Sequence, residues 1–216
     1  MTGWQFTDAF YMAGKLAKLV TGAPAMLVWG GAIVIGMLGL VRYQMTPGPQ
    51  QQNTPRRWPA GTGGIARMPG RFTLVMTLHP QCPCSRASLH ELSQLMTRAG
   101  GQVDAHILFV QPRGAPADWC DGDLWNQAKD IPGVNVSVDD DAKDAAVFGA
   151  TTSGQVIVYD PSGAIRFSGG ITDSRGHDGD NAGFSAILEL IRRGKTAVST
   201  TPVYGCSLGV CQLKKQ

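Results

Sequence analysis

Residues 72–99 read FTLVMTLHPQCPCSRASLHELSQLMTRA, and this stretch decides the fold. The run at 72–78 is short and apolar, as expected of a strand buried inside a sheet. Residues 85–99 then place Leu89, Leu92, Leu95 and Met96 at helical spacing, and Gly100-Gly101 ends the helix. Between the two lies His79-Pro80-Gln81-Cys82-Pro83-Cys84-Ser85-Arg86. A pair of cysteines therefore stands where a strand gives way to a helix N-terminus. Unpaired N–H groups and the positive end of the helix dipole stabilise a thiolate there, and Arg86 in the first turn adds positive charge. Disulfide exchange needs that larger thiolate fraction and that better leaving group. A disulfide closed over the single residue Pro83 fits the allowed Cα separation but carries strain, which makes it labile.

Outward from this stretch the elements alternate. Residues 103–110 form a second strand, 121–130 a helix, 134–138 an alternating strand, and 141–148 a helix ending at Gly149. Residues 155–159 and 164–168 flank the turn Asp160-Pro161-Ser162-Gly163 and predict a hairpin. A last helix over 182–193 carries Ile187, Leu188 and Ile191 on its apolar side. This order predicts an α/β domain over 71–195, a mixed sheet with helices on both faces, followed by a cysteine-containing tail over 196–216.

The N-terminal third differs. The chain has 19 basic and 16 acidic side chains in 216 residues, net +3. Lys15, Lys18, Arg42, Arg56, Arg57 and Arg67 are set against Asp8 alone before residue 71, so the basic excess lies there. The part long enough to fold is slightly acidic and has no basic stripe, which excludes a nucleic-acid-binding domain. No charge lies between Lys18 and Arg42, and residues 23–43 suit a single transmembrane helix. The apolar run is longer than a signal-peptide core and no small-residue cleavage pattern follows it. Residues 1–22 mix Trp4, Phe6, Phe10 and Tyr11 with the two lysines, as an amphipathic segment at a membrane surface does. Charge on the two sides of the span does not fix its orientation. Gly30, Gly31, Gly36 and Gly39 would let a partner helix approach closely, which fits a subunit of a membrane complex. Residues 44–70 are rich in Pro and Gly and read as an extended linker that stands the domain off the bilayer.

Five cysteines are too few for a disulfide scaffold, and the number is odd. Cys206 and Cys211 in the tail either pair locally or bring Cys206 back to Cys82 or Cys84, as a resolving thiol or third metal ligand. Cys120 reads as a lone buried thiol. The polar loop Ser174-Arg175-Gly176-His177-Asp178-Gly179-Asp180-Asn181 precedes the last helix. Asn181 or Asp180 suits its N-cap. Arg175 and His177 remain as candidate base, ligand or charge partner of a thiolate. His79, Cys82 and Cys84 are donors suited to Cu(I), so a copper carrier is the alternative to a redox protein.

A cysteine pair after the first strand, further β/α units, a hairpin and a last helix together resemble the thioredoxin-like superfamily. The membrane-tethered, outward-facing TlpA- or ResA-type thiol–disulfide proteins of bacteria share this arrangement. The runs at 82–88 (Cys-Pro-Cys-Ser-Arg-Ala-Ser) and 175–183 (Arg-Gly-His-Asp-Gly-Asp-Asn-Ala-Gly) more closely resemble RedB-like proteins. The resemblance implies a single-pass inner-membrane protein with its C-terminal domain in the periplasm or an equivalent space, exchanging with protein thiol or disulfide partners and using no cofactor. It implies Cys82 as the exposed attacking sulfur and Cys84 as the resolving one; the residue reading adds Arg86, His177 and Cys206 as supporting candidates. Two departures stand out: one residue rather than two separates the cysteines, and Thr151-Thr152-Ser153-Gly154 stands where the superfamily places a cis-proline facing them.

Overall fold

In the computed structural model, which describes residues 5–50, 53–62 and 64–208, strand β1 (Phe72–Leu78) lies at the centre of a five-stranded sheet. Helix α1 (Gln5–Gln44) precedes it, and α2 (Pro83–Ala99), β2 (Val103–Gln111), α3 (Asp123–Lys129), β3 (Val134–Asp140), α4 (Lys143–Val147), β4 (Gln155–Tyr159), β5 (Ile165–Gly170) and α5 (Ala182–Arg193) follow. The order across the sheet is β3-β2-β1-β4-β5. Strands β1, β2 and β3 run parallel, with Phe72 opposite Val103 and Ala105 opposite Val134. Parallel neighbours need a crossover, and α2 and α3 supply the two. Strand β4 runs antiparallel to β1 and turns through a hairpin into β5.

Two cores explain why β1 shows no polar alternation. Leu74, Met76 and Leu78 face one side, where they meet Leu92 and Leu95 of α2 and Ile187 and Leu190 of α5. Val75 faces the other side with Leu108, Ile157 and Tyr159, beneath Ala145 and Phe148. At roughly 1.5–3 kcal/mol for each large apolar side chain buried, the two layers drive the fold.

The short helices begin later than the apolar pattern predicts. Helix α3 starts at Asp123 because the preceding residues form turns, in which Trp119 donates to the Pro116 carbonyl at 3.0 Å and Asp121 to that of Asp118 at 2.9 Å. Helix α4 starts at Lys143 because Asp141 and Ala142 adopt positive φ, 61° and 55°. The buried Asp139 carboxylate reaches across this turn and accepts from the N–H groups of Asp144 and Ala145, at 2.9 and 2.8 Å.

The segment expected as a free spacer lies against the domain over much of its length. The Gly48 N–H donates to the Val203 carbonyl, that of Trp58 to Gly163, and that of Ile165 to Arg56. The Trp58 ring packs edge-on against Phe148 and Tyr159, each at a centroid distance of 5.2 Å. The second face of the sheet carries only the five-residue α4, and Trp58 and Ile65 supply apolar cover that this helix is too short to give. The prolines keep the segment extended without demanding ladder donors.

Helix α1 is a separate unit. It contains a 21-residue stretch, Pro24–Gln44, long and apolar enough to cross a bilayer. The aromatic side chains of the expected surface segment lie outside the described residues.

Candidate active site

The chain leaves β1 through His79, and the Cys82 N–H donates back to the His79 carbonyl at 3.1 Å, closing a tight turn. Cys82 is the N-cap of α2, in extended conformation, and Pro83 occupies the first turn. Proline suits that position because the missing N–H would have had no partner there. Ser85 is buried and ties the turn to the sheet. Its hydroxyl donates to the His79 carbonyl at 2.9 Å and lies 2.9 Å from the hydroxyl of Ser153, which accepts from the His79 N–H at 2.9 Å. Ser153, in the segment 151–154 expected where a cis-proline would stand, thus packs its hydroxyl against the His79 turn, and no cis peptide occurs among the described residues.

The tail is the main addition to the expected site. Thr152 and Ser207 form an antiparallel bridge, the Ser153 N–H donates to the Cys206 carbonyl at 2.8 Å, and the Leu208 N–H to that of Thr151 at 2.8 Å. Residues 206–208 therefore run as a short strand along the turn before β4, and they carry Cys206 to the helix mouth. Its Sγ lies 2.9 Å from Cys82 Sγ. Cys84 also faces Cys82, so three thiols converge.

Their surroundings sort them. Burial pushes the Cys82 thiol up, but the Cys206 thiol against it and the backbone N–H groups of Cys206, Cys84 and Ser85 nearby outweigh that and hold it below its ordinary value. The Cys84 thiol is raised, first by burial and then by the charge on Cys82 and its hydrogen bond to it, while Arg175 opposes the rise. The Cys206 thiol is pushed up to about 12 by burial and then by its bond to Cys82 and the charges of Cys82 and Cys84, again against Arg175. Of the three sulfurs, Cys82 is the one whose anion these surroundings favour.

Of the residues expected in support, Cys206 and Arg175 are in place. The Arg175 guanidinium donates through Nη1 to the Gly205 carbonyl and through Nε to that of Thr46 at 3.3 Å. Its loop is pinned to α2 by the buried Glu91, which accepts from the Gly179 N–H at 2.8 Å and from the Asn181 side chain at 3.3 Å. Asn181 caps α5 as expected, accepting from the Phe184 N–H at 2.7 Å. His177 is exposed, two residues beyond the arginine that reaches the thiols, and has no part in the sulfur cluster. Arg86 is exposed on the first turn and lines a hollow with Pro80, Gln81, Cys82 and Asp123 instead of touching a sulfur.

One expectation needs correction. Cys82 is 2% exposed, not open to solvent, because the tail lies over it, whereas Cys84 is half-buried. Among the described residues no group of three or more His, Cys, Asp or Glu side chains has the arrangement of a metal site, the three converging thiols included. His79 accepts at Nδ1 from the Gln81 N–H at 3.2 Å and stacks edge-on to Trp119, so its ring belongs to the turn. Cys120 is buried, as expected, and Cys211 lies outside the described residues. Glu91 and Ser153 had no sequence signal beyond an acid within an apolar helix and a missing proline.

No protein-family model and no curated protein matches the chain. Among solved structures, an uncharacterized conserved protein from Geobacillus kaustophilus overlays with a TM-score of 0.54 at 17% identity, covering 77% of this chain and 93% of that one. A hypothetical protein from Sinorhizobium meliloti overlays at 0.52 and 18% identity, covering 66% and 81%. The exposed lipoprotein thioredoxin of Streptococcus pneumoniae gives 0.42 at 18% identity, covering 57% and 84%. At such identities the first two overlays show a likeness of fold alone. Parallel β1–β3 joined through helices, an antiparallel β4–β5 hairpin and a closing α5 make that fold thioredoxin-like.

Proposed function

We propose that this protein is a membrane-anchored thiol–disulfide exchange protein in which Cys82 is the attacking sulfur. The observation that carries the reading is the Cys82 sulfur at the N-cap of α2, 2.9 Å from Cys206 Sγ, its thiol held below its ordinary value while those of Cys84 and Cys206 beside it are raised. Disulfide exchange proceeds through attack of a thiolate on a disulfide sulfur, so selecting one thiolate selects the nucleophile. A second thiol of the cluster then closes on Cys82 and releases the partner. The apolar stretch Pro24–Gln44 supports tethering to a membrane, and the resemblance to TlpA-, ResA- and RedB-like proteins favours the periplasmic side or its equivalent. Protein dithiols or disulfides on that side are the partners this reading implies.

The test is exchange with glutathione disulfide by the reduced full-length chain in detergent micelles, followed by mass. Cys82→Ala is expected to slow the reaction at least 100-fold. A Cys82→Ala chain that exchanges at the wild-type rate would refute the reading.

A further inference from the structure

We infer that Cys206 is the resolving thiol, so that the internal disulfide of this protein joins Cys82 to Cys206 and not to Cys84. The inference rests on the exchange chemistry proposed for Cys82 and adds the identity of the second sulfur.

Distance comes first. The Cys82 and Cys206 sulfurs stand 2.9 Å apart. A disulfide is about 2.05 Å long, so bond formation asks for about 1 Å of approach. Cys84 faces a different demand. It lies in the first turn of α2, on the far side of Pro83, whose ring fixes φ. Closing the ring over one proline would disturb that turn and its hydrogen bonds.

The tail is held as though Cys206 must stay in register. Val203 and Leu208 bracket it, 0% and 6% exposed, and Leu208 enters the core of the second sheet face. Backbone bonds from Ser153 and Leu208 fix the residues on either side of the sulfur, and Arg175 grips the Gly205 carbonyl. Gly205 passes so close to the turn that an added Cβ would stand 1.9 Å from the Ser153 carbonyl oxygen. These contacts on Val203, Gly205, Cys206 and Leu208 hold the tail where the Cys206 thiol lies against Cys82.

The chemistry then runs in two balanced steps. Cys82 thiolate attacks one sulfur of a partner disulfide; the Cys82–partner bond forms, the partner's own S–S bond breaks, and its leaving thiolate takes up a proton. The negative charge on Cys82 is now gone, and with it the hydrogen bond and the charge that help keep Cys206 protonated, while Arg175 remains. Cys206 gives up its proton and attacks Cys82 Sγ. The Cys82–Cys206 bond forms, the mixed disulfide breaks, and the second partner thiolate leaves with the proton. The partner gains two electrons and the Cys82/Cys206 pair loses two; a partner dithiol drives the same steps in reverse.

The experiment uses the reduced full-length chain in detergent micelles, glutathione disulfide as the partner, alkylation with N-ethylmaleimide, and mapping of linked peptides by mass spectrometry. The expected product links Cys82 to Cys206 and leaves Cys84 and Cys211 alkylated. Cys206→Ser is expected to accumulate the Cys82–glutathione mixed disulfide and to slow release of the second glutathione at least tenfold more than Cys84→Ser does. A dominant Cys82–Cys84 or Cys206–Cys211 link, or accumulation in Cys84→Ser and not in Cys206→Ser, overturns the assignment while leaving Cys82 as nucleophile. Wild-type exchange rates in Cys82→Ala overturn both.

Discussion

Which sulfur reacts is decided by a few atoms around Cys82. Burial disfavours its anion, but the Cys206 thiol 2.9 Å away and the nearby backbone N–H groups outweigh that and hold its thiol below its ordinary value. Below the folded-state pKa the thiol is protonated and alkylates slowly; above it the thiolate alkylates fast. Cys206→Ala removes one donor to the anion, so the midpoint of the pH–rate profile should move up. A hydrogen bond to a charged group is worth about 1.5–3 kcal/mol, and one pH unit corresponds to about 1.4 kcal/mol. Loss of part of the tail's cover acts in the opposite direction and makes the rise partial; it is readable from iodoacetamide rates followed at Cys82 by mass. A midpoint that stays or falls would mean the tail merely covers Cys82. Cys120 supplies an internal reference, since burial and then the charges of Asp121 and Asp140 push its thiol up to about 11, and it should stay unmodified at pH 8 in the folded chain.

At the scale of elements, the tail strand and the turn before β4 form one working unit. Gly205→Ala places a methyl group against the Ser153 carbonyl, and the strand must lift to accommodate it. The expected result is faster alkylation of Cys82, by roughly tenfold, which corresponds to about 1.4 kcal/mol of local loosening. Unchanged rates would show that the tail does not gate the sulfur. The sequence makes the local parts of this unit visible: the apolar run of β1, the 3.6-residue spacing of α2 and the polar loop before α5 each announce themselves within a dozen residues. Cys82 at a helix mouth follows from the junction of the first two. What stayed hidden depends on partners far along the chain. Nothing in the tail itself says that Leu208 fills a core beside Phe148, or that Cys206 rather than Cys211 turns toward Cys82. His177 looked as eligible as Arg175 because loop composition cannot say which side chain faces inward; Glu91 settles that by tying down Gly179 and Asn181. Trp58 was masked by the prolines around it, which signal an extended chain whether or not that chain packs.

For the molecule as a whole, the exchange site is useful only where its partners are, and α1 bears on that. Pro24–Gln44 spans about 30 Å at 1.5 Å per residue, the thickness of a hydrocarbon core, and its large apolar side chains, including Met26, Leu27, Trp29, Ile35 and Leu38, are exposed. Exposed side chains of this size along a whole helix are unfavourable in water and suit lipid. Pro24 stands at the start of the stretch, so the residues that follow keep their helical hydrogen bonds, as a bilayer, which offers no water to replace them, would require. Replacing Ile35 and Leu38 with Arg places two charges near the middle of the span, each costing about 2.5–3.5 kcal/mol on insertion scales. The wild-type chain should stay with membranes through an alkaline carbonate wash, and the Ile35→Arg, Leu38→Arg chain should move to the supernatant while keeping Cys82 exchange with glutathione disulfide. Release of the wild-type chain by the same wash would remove the anchor from the account and leave the thiol chemistry standing.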